Sequence, residues 1–290
     1  MLRQISIIGP GLLGSSLSLA AKKHRLTEKV VAWSHRAETR ANCLAKGICD
    51  AVEETPAKAV KGSDLVILCT PVDTIIPLLT EIQASLDEDA ILTDVGSTKS
   101  QICRQAQGIE IKHTAFIGSH PMAGSDQRGM ENARADLFSG ATCFITPLDN
   151  APADHVQRLV NFWENIGMHI QITSPEIHDE IVAHVSHLPH AIAAVLSKFL
   201  GEKNADWAQF AGGGLRDTSR IASGNPGLWK QIFDQNREEV IRAIEGFEDR
   251  LHRFKASLLN KEYADTQRIL QQGKSFRDSL NSHTKNDTDG

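Results

Sequence analysis

A glycine motif between a strand and a helix constrains the fold of this 290-residue chain more than any other feature. Residues 4–8 form a β-branched run, residues 15–21 suit a helix, and residues 9–14 between them fit the pattern G-x-G-x-x-G. In this pattern the first glycine makes a tight turn, the second lets a pyrophosphate approach the backbone, and the third packs helix on strand. The motif predicts a Rossmann fold that binds a dinucleotide at the helix N-terminus, and the alternative is a glycine-rich turn without a ligand. The residues expected to contact the cofactor are Gly9, Gly11, Leu12, Leu13 and Gly14.

The end of the second predicted strand, residues 30–33, indicates which dinucleotide is bound. A site specific for NAD carries Asp or Glu at this point, to bind the ribose 2′-hydroxyl. This chain has Ser34, His35 and Arg36, with Arg40 one turn later. A hydroxyl and a guanidinium suit a 2′-phosphate, because arginine makes charge-assisted bonds to phosphate oxygens. We therefore expect NADP to be preferred over NAD, unless these residues simply form a solvated loop.

Two more apolar runs, residues 64–69 and 90–95, are typical of buried parallel strands. The first ends in Thr70 and Pro71, and the second is followed by Gly96 and Ser97. Because the carboxyl ends of parallel strands border the ligand crevice of such folds, we expect Thr70, Pro71 and Ser97 to lie near the cofactor.

His120 stands on a stiff loop after the apolar residues 115–117. Pro121 biases His120 toward extended backbone, and glycines at 118 and 124 allow close turns around it. A titratable ring held in this way suits acid–base chemistry near neutral pH. We expect His120 to be catalytic; the alternative is a histidine at a strand end that only hydrogen-bonds a neighbouring loop.

The chain changes character near residue 172, after which only helical periods are found. We therefore predict an α/β chain with two domains: a Rossmann-type doubly wound parallel sheet in residues 1–172, and an all-α dimerisation domain in residues 173–290. Apolar residues recur at steps of four and three between Val240 and Leu258. So small a helical domain has limited core to cover this stripe, which favours a homodimer.

Polar residues in the helical part suggest the rest of the site. Ser186 and His190 are one turn apart on one predicted helix face, and a proline between them is expected to kink that helix. The nearby histidines have no partner pattern for a metal, so we expect none. Residues 212–214 are all glycine and predict a loop around an anionic substrate, with Arg220 binding its carboxylate; a helix cap with surface ion pairs is the alternative. Trp229 fits either the core or the rim of the site.

Composition excludes several classes of function. A net charge of −5 argues against nucleic acid as a partner, and no apolar run reaches the ~18 residues needed to span a membrane. No secretory signal is recognised at the N-terminus, and the five cysteines are scattered, which is typical of free thiols in a reducing cytoplasm. We expect a cytoplasmic protein that acts on a small molecule.

Five motifs occur in order along the chain: the glycine pattern at 9–14, Asp94-x-Gly96-Ser97-x-Lys99, Gly118-x-His120-Pro121-x-Ala123-Gly124, Ser186-His187-Leu188-Pro189-His190, and Gly212-Gly213-Gly214 followed by Asp217-x-x-Arg220. With these motifs the chain resembles the prephenate and arogenate dehydrogenases of tyrosine biosynthesis, over essentially its full length. The resemblance implies oxidation of a 4-hydroxycyclohexadienyl carboxylate by nicotinamide, with loss of CO₂ and formation of an aromatic ring. It also implies a helical second domain that dimerises.

Site residues follow from this resemblance position by position. The family's catalytic histidine corresponds to His120, with Ser97 beside it and the nicotinamide. Its carboxylate-binding arginine corresponds to Arg220. The histidine that meets the substrate from the second domain corresponds to His190, with Ser186 nearby. Positions lining the family's pocket correspond to Gly213 and Trp229.

The choice between prephenate and arogenate is predicted to depend on Asp126. The two substrates differ in a side chain that carries a ketone in one and an ammonium in the other. Ser125 and Asp126 end the histidine loop, and a carboxylate there would pair with the ammonium, so we expect arogenate to be used at least as well as prephenate. The alternative is that Asp126 pairs with Arg216 or Arg220.

Two other functions stay open. One is a different NAD(P)-dependent hydroxyacid or imine dehydrogenase with a helical dimer domain, although Lys198 and Lys203 lie in no recognisable catalytic motif. The other is a protein that senses nucleotides without catalysis. The presence together of His120, Ser97, His190 and Arg220 argues against the second.

Overall fold

A computed structural model describes residues 1–111, 115–123 and 129–283. The strands are β1 (Leu2–Ile8), β2 (Thr27–Trp33), β3 (Ala51–Val52), β4 (Leu65–Leu68), β5 (Ile91–Asp94), β6 (Phe116–Pro121), β7 (Thr142–Pro147) and β8 (His169–Ile172). The helices before residue 172 are α1 (Leu12–Lys23), α2 (Ala37–Ala45), α3 (Pro56–Ala59), α4 (Val72–Ile82), α5 (Ser100–Gln107) and α6 (Ala153–Asn165). Those after it are α7 (Pro175–Val182), α8 (Leu188–Gly201), α9 (Gly213–Ser219), α10 (Pro226–Gln235), α11 (Arg237–Leu259) and α12 (Tyr263–His283).

The strands form one sheet in the order β3-β2-β1-β4-β5-β6-β7-β8. The order reverses between β1 and β4, which run parallel to each other. In open α/β sheets such a reversal opens a crevice at the carboxyl ends of the strands, where ligands bind. The glycine motif follows β1 and Thr70 follows β4, so both lie at this reversal. The predicted Rossmann-type fold is confirmed.

One strand pair departs from the predicted parallel sheet. β7 runs antiparallel to β6, with His120 opposite Phe144, whereas all other neighbours are parallel. A parallel connection needs a crossover of a dozen or more residues, usually a helix. Between β6 and β7 the described residues contain no α-helix, only the 3₁₀ turn Met130–Asn132.

The core lies on both faces of the sheet because the strands are buried on both sides. Ile5 and Ile7 pack on one face and Ile8 on the other, as the two-residue period of a strand requires. The same alternation holds in β4, where Ile67 and Leu68 point to opposite faces. A sheet fixed from both sides gives the loops at its carboxyl edge a rigid base.

The helical segment after β8 differs from the expectation of one helix kinked by Pro189. The π-helical turn Ala183–His187 separates α7 from α8, and Pro189 lies in the first turn of α8, where its missing N–H costs nothing. The expected glycine loop is also absent: Gly212 caps α9, and Gly213 and Gly214 form its first turn. The first difference places the break in the helix at the segment that carries Ser186.

The chain divides into two compact units, Met1–Arg237 and Glu238–Gly290. The first contains the whole sheet and the helices α1 to α10. The boundary proposed from the sequence at residues 172 and 173 stays a prediction. None of the helices in the described ranges is both long and apolar enough to cross a membrane. A cytoplasmic location likewise stays a prediction.

Candidate active site

A cavity of about 770 Å³ lies at the carboxyl ends of β1, β4, β5 and β6, within the first unit. It joins residues that are far apart in the sequence and that were predicted separately. The predicted site residues that line it are Gly11, Leu12, Leu13, Thr70, Pro71, Ser97, His120, Ser186, His190, Arg220 and Trp229.

Two further predicted residues, Ser125 and Asp126, fall outside the described residues. Gly213, at the start of α9, is exposed and does not line the cavity. The remaining predicted residues that are absent from the lining are Gly9, Gly14, Ser34, His35 and Arg36.

The glycine motif is shaped for close contacts and leaves room for a ligand at one point. Gly9 has a φ of +100°, and a Cβ atom on Gly14 would lie 2.5 Å from the carbonyl oxygen of Gly9. A Cβ atom on Gly11 would meet nothing within 4 Å. Gly11 is also the N-cap of α1, and among the described residues no side chain caps this helix, so its first N–H groups are open to an anion. These features fit the pyrophosphate of a dinucleotide.

Thr70 adds a second feature that fits a cofactor. Its Oγ1 is buried yet has no hydrogen-bond partner among the described residues. Buried hydroxyls without a partner are uncommon in native proteins, because losing water without replacement costs about 1–3 kcal/mol. Since Thr70 lines the cavity beside Pro71, a bound ligand would supply the missing partner.

The loop after β2 and the first turn of α2 present two guanidinium groups and a buried hydroxyl. Ser34 is 7% exposed and accepts a hydrogen bond of 3.3 Å from the backbone N–H of Arg36. This leaves the hydroxyl hydrogen of Ser34 able to donate elsewhere. Arg40 donates to the Ser34 carbonyl oxygen at 2.6 Å, and the side chains of His35 and Arg36 are exposed.

His120 ends β6 with its ring at the cavity wall and only 9% exposed. Burial, together with the neighbouring His178 and Lys99, holds its pKa well below 6.5. A buried imidazole is neutral because its charged form would lose hydration. His120 is therefore a neutral ring at physiological pH, as a proton acceptor must be.

Two residues behind His120 were not predicted from the sequence. His178 and Asp179 lie on α7, and His178 Nε2 is 2.9 Å from His120 Nδ1. His178 Nδ1 is in turn 2.8 Å from Asp179 Oδ1. The adjacent pair His-Asp in the sequence was the available signal. It gave no prediction because the two residues belong to no motif and lie 58 residues or more from His120.

The loop that carries Ser97 is held by a buried ion pair. Asp94 and Lys99 are both fully buried and bonded to each other. Asp94 also accepts hydrogen bonds from the backbone N–H groups of Gly96 at 2.8 Å and Ser119 at 3.1 Å. One carboxylate therefore ties the turn before Ser97 to the strand that ends in His120. This explains the acid and the lysine in the second of the five motifs.

The opposite wall of the cavity is built from a stacked pair. The rings of His190 and Trp229 are 3.5 Å apart and nearly parallel, at 11°. A Cβ atom on Gly224 would lie 2.6 Å from Trp229 Nε1 and 2.9 Å from His190 Cε1, so this stack requires a glycine at 224. Burial lowers the pKa of His190 as well. Trp229 thus belongs to the site rim.

His187 is a further lining residue that the sequence did not assign to the site. It is 1% exposed, and burial lowers its pKa to about 4. Its Nδ1 lies 3.1 Å from Asn236 Nδ2, and the same amide donates to the Asp179 carbonyl oxygen at 2.8 Å. His187 Nδ1 is therefore the acceptor, and its N–H is on Nε2. No group of three or more His, Cys, Asp or Glu residues in the described ranges is arranged for a metal.

Arg220 brings positive charge to the same cavity from the short 3₁₀ segment Arg220–Ser223. With a glycine cradle, a neutral histidine and a cation, the cavity fits a dinucleotide and an anionic hydroxy compound side by side. A fold and site of this kind define a nicotinamide-dependent dehydrogenase.

Comparisons with known proteins give the family. Residues 17–172 match the nucleotide-binding domain of prephenate dehydrogenase, and residues 174–272 match its dimerization domain. The chain belongs to the prephenate dehydrogenase family. The activity expected from the sequence, NAD(P)-dependent oxidative decarboxylation in tyrosine biosynthesis, is thereby confirmed.

Individual relatives agree along the whole chain. The prephenate dehydrogenase of Lactococcus lactis is 30% identical over 290 residues, covering 97% of this chain and 78% of the relative. The crystal structure of prephenate dehydrogenase from Aquifex aeolicus, with hydroxyphenyl propionate and NAD+, has a TM-score of 0.91 at 29% identity, covering 97% of this chain and 99% of that one. Synechocystis arogenate dehydrogenase has a TM-score of 0.84 at 28% identity, covering 96% and 99%.

Proposed function

We propose that His120 is the base of this oxidative decarboxylation, that Arg220 binds the substrate carboxylate, and that both act inside the described cavity. The observation that carries the proposal is the cavity itself. It places a neutral imidazole and a guanidinium beside the turn of the glycine motif. The other dehydrogenases considered from the sequence typically place a catalytic lysine on a second-domain helix, and no lysine lines the cavity among the described residues.

The chain's residues have distinct parts in the reaction. The nicotinamide cofactor supplies the hydride acceptor. His120 takes the hydroxyl proton as the ring carbon loses its hydride and a C=O bond forms. The C–C bond to the ring carboxylate then breaks, CO₂ leaves, and the electron pair enters the ring, which becomes aromatic. The former C=O oxygen becomes a phenolate and takes the proton back from His120. Arg220 and His190 hold the substrate, with Ser186 nearby, which is a contribution of position rather than of proton transfer.

NADP is the cofactor that the β2–α2 loop favours. A 2′-phosphate would find the Ser34 hydroxyl and the exposed guanidinium of Arg36 where an NAD site has a carboxylate. Arg40, already held against the Ser34 carbonyl, adds a second positive charge. The Aquifex relative was crystallised with NAD+, so the contrast with NAD is the one to measure.

Arogenate is proposed as a substrate at least as good as prephenate. This follows from the acidic side chain of Asp126 in the sequence, since a carboxylate can pair with the arogenate ammonium. Structures of both a prephenate and an arogenate dehydrogenase superpose on this chain at similar identity, so the fold alone does not choose.

The test is to measure kcat/KM for prephenate and arogenate, each with NAD and with NADP. We expect turnover with release of CO₂, faster with NADP, and with arogenate at least equal to prephenate. The Asp126→Asn variant should move the substrate ratio toward prephenate, and Arg36→Ala should reduce only the preference for NADP. An unmoved substrate ratio would remove Asp126 as the selector. Equal kcat/KM values with NAD and NADP in the wild type would show that the β2–α2 loop does not select the cofactor. No turnover of either substrate would overturn the function.

A further inference from the structure

A chain of hydrogen bonds runs from the cavity into the protein behind it. It begins at His120, passes through His178 and ends at Asp179, with the two distances of 2.9 and 2.8 Å given above. His178 is fully buried and Asp179 is 2% exposed. Phe144 packs edge-on against the His178 ring at 5.1 Å, so the ring has little freedom to turn. The chain therefore has a fixed geometry.

The proton positions in this chain follow from Asp179. Its Oδ1 accepts from the backbone N–H of Lys99 at 2.8 Å, and its Oδ2 accepts from that of Ser100 at 2.9 Å. Burial alone would raise the pKa of Asp179, but the hydrogen bonds from His178 and from these backbone groups lower it below its usual value. An ionised carboxylate can only accept, so the proton between Asp179 and His178 is on His178 Nδ1.

This assignment fixes the tautomer of His120. Burial lowers the pKa of His178, although its bond to Asp179 acts in the opposite direction, so the ring is neutral with one N–H. Because that N–H is on Nδ1, His178 Nε2 is an acceptor, and His120 Nδ1 must donate to it. The remaining nitrogen, His120 Nε2, then carries a lone pair. In the other tautomer, Nε2 would carry a hydrogen and could not take a proton.

The surroundings of the two rings do not reverse this order. The charged or titratable groups that act on them are Lys99 with its partner Asp94, His187 and Asp179. Lys99 disfavours protonation of both rings, and His178 also disfavours protonation of His120. Asp179 is the group that stabilises an N–H at His178 Nδ1.

We propose that His178 and Asp179 are positioning residues that hold His120 in the tautomer whose Nε2 can accept the substrate's hydroxyl proton. The proposal rests on the proposed role of His120 as the base. Asp179 also caps α5 through Ser100, so a purely structural role would predict lost stability without a change of tautomer. The two roles can therefore be separated by experiment.

The direct readout is the ¹⁵N NMR spectrum of histidine-labelled protein without substrate. The His120 signals are identified by their loss in the His120→Asn variant. We expect the Nδ1–H tautomer in the wild type. In Asp179→Asn, the amide can donate to His178 Nδ1 and reverse the chain, so His120 should change to the Nε2–H tautomer. Its kcat should fall by roughly 10²–10⁴ at nearly unchanged KM, the range of a misplaced proton acceptor.

A second pair of variants leaves Asp179 and the α5 cap in place. His178→Gln can offer an amide oxygen where Nε2 was, so we expect kcat within about tenfold of the wild type. His178→Leu fills similar space without a hydrogen-bond acceptor, so its kcat should fall at least as far as that of Asp179→Asn. The matched control is Glu180→Gln, which removes an exposed carboxylate from the next position of α7.

The outcomes separate this proposal from the proposed function. A wild-type His120 in the Nε2–H tautomer overturns the proposal. It is also overturned if His178→Gln and His178→Leu have the same kcat, or if Asp179→Asn keeps both the wild-type tautomer of His120 and the wild-type kcat. If Asp179→Asn does not fold, the pair at 178 decides. An enzyme inactive with both substrates would overturn the function, whereas the NMR result would still report the tautomer.

Discussion

The proposed role of His120 as a proton acceptor depends on its surroundings, because the protein keeps the ring neutral. An exposed histidine with a pKa near 6.5 is partly charged in the cell, and the charged form cannot accept a proton. Burial at the end of β6 moves the pKa of His120 well below this value. The cost is a ring that is destabilised when protonated, which makes the site sensitive to acid.

The acid sensitivity gives a prediction for the pH profile of kcat/KM. Protonation inactivates His120, so activity should be constant around neutral pH and fall only as pH drops through the folded-state pKa of His120. That midpoint lies below 6.5 because the folded-state pKa is lowered. Steady-state rates from pH 4.5 to 9 check this. An acid limb centred at or above 6.5 would assign the base to another group.

Arg220 should act on binding instead of on proton transfer. Arg220→Ala removes the positive charge that we propose binds the substrate carboxylate, so KM should rise. The segment is partly open to solvent, so we expect the low end for a lost charged partner, about 2 kcal/mol or roughly thirtyfold. The control is Arg216→Ala, an exposed guanidinium one turn earlier that does not line the cavity. Equal KM values for the two variants would show that Arg220 does not bind the substrate.

At the scale of elements, packing against Gly224 fixes the far wall of the site. Gly224 has φ −56° and ψ 158°, a conformation that alanine also adopts, so Gly224→Ala tests only the contact with Trp229 and His190. The added methyl should displace the stacked rings, at a cost of about 1–3 kcal/mol in stability, and raise KM for the substrate. Affinity for the dinucleotide, measured by fluorescence titration, should change little.

Gly246→Ala is the matched control for this substitution. A Cβ atom there meets nothing within 4 Å, and the residue lies inside α11. This variant should be neutral or stabilised by up to about 1 kcal/mol, because alanine is the better helix former. If both alanines leave KM and melting temperature unchanged, the stacked pair does not shape the substrate site.

Elements with a strong local signal could be predicted from the sequence. The glycine motif and the apolar runs before Thr70 and Ser97 gave the sheet, because a buried parallel strand needs apolar residues throughout. The antiparallel β7 could not be predicted, since strand direction depends on the connection and not on the strand. Gly213 illustrates a limit of local patterns: three glycines suggest a loop, yet Gly212 is the N-cap of α9 and the next two glycines form its first turn.

Site residues could be predicted where they stand in short motifs at turns, and not where they contact another site residue from inside a helix. His120, Ser97 and Arg220 lie in short motifs with turn residues around them. His178 and Asp179 lie inside a regular helix and meet His120 only after the chain has folded. No local sequence pattern identifies such a pair, because the pair acts through a contact that exists only in the folded protein.

At the scale of the whole molecule, the exposed apolar side chains of α11 and α12 need an explanation. Leu251 and Leu270 are 55% and 60% exposed in the single chain, and Phe276 is 68% exposed. Large apolar patches of this kind are typical of an interface between subunits. The match of residues 174–272 to a dimerization domain agrees with this interpretation. We expect a homodimer formed through these helices.

Sedimentation equilibrium tests the homodimer. The wild type should have twice the 31.7 kDa mass of the chain, and a variant with both Leu251→Glu and Leu270→Glu should have the single mass, because the charges would be buried without partners. The matched control replaces Glu248 and Arg250 by glutamine, on the same helix as Leu251. A monomeric wild type would contradict the expectation.

The central claim is that one cavity joins the cofactor, the substrate and a neutral His120 that takes the hydroxyl proton. Its most direct test is the rate of nicotinamide reduction by His120→Asn, with substrate and cofactor both saturating. Asparagine keeps a polar side chain of similar size but cannot accept the proton as a base. The account predicts a kcat lowered by roughly 10²–10⁴ with KM close to that of the wild type. A kcat within a few-fold of the wild type would contradict it.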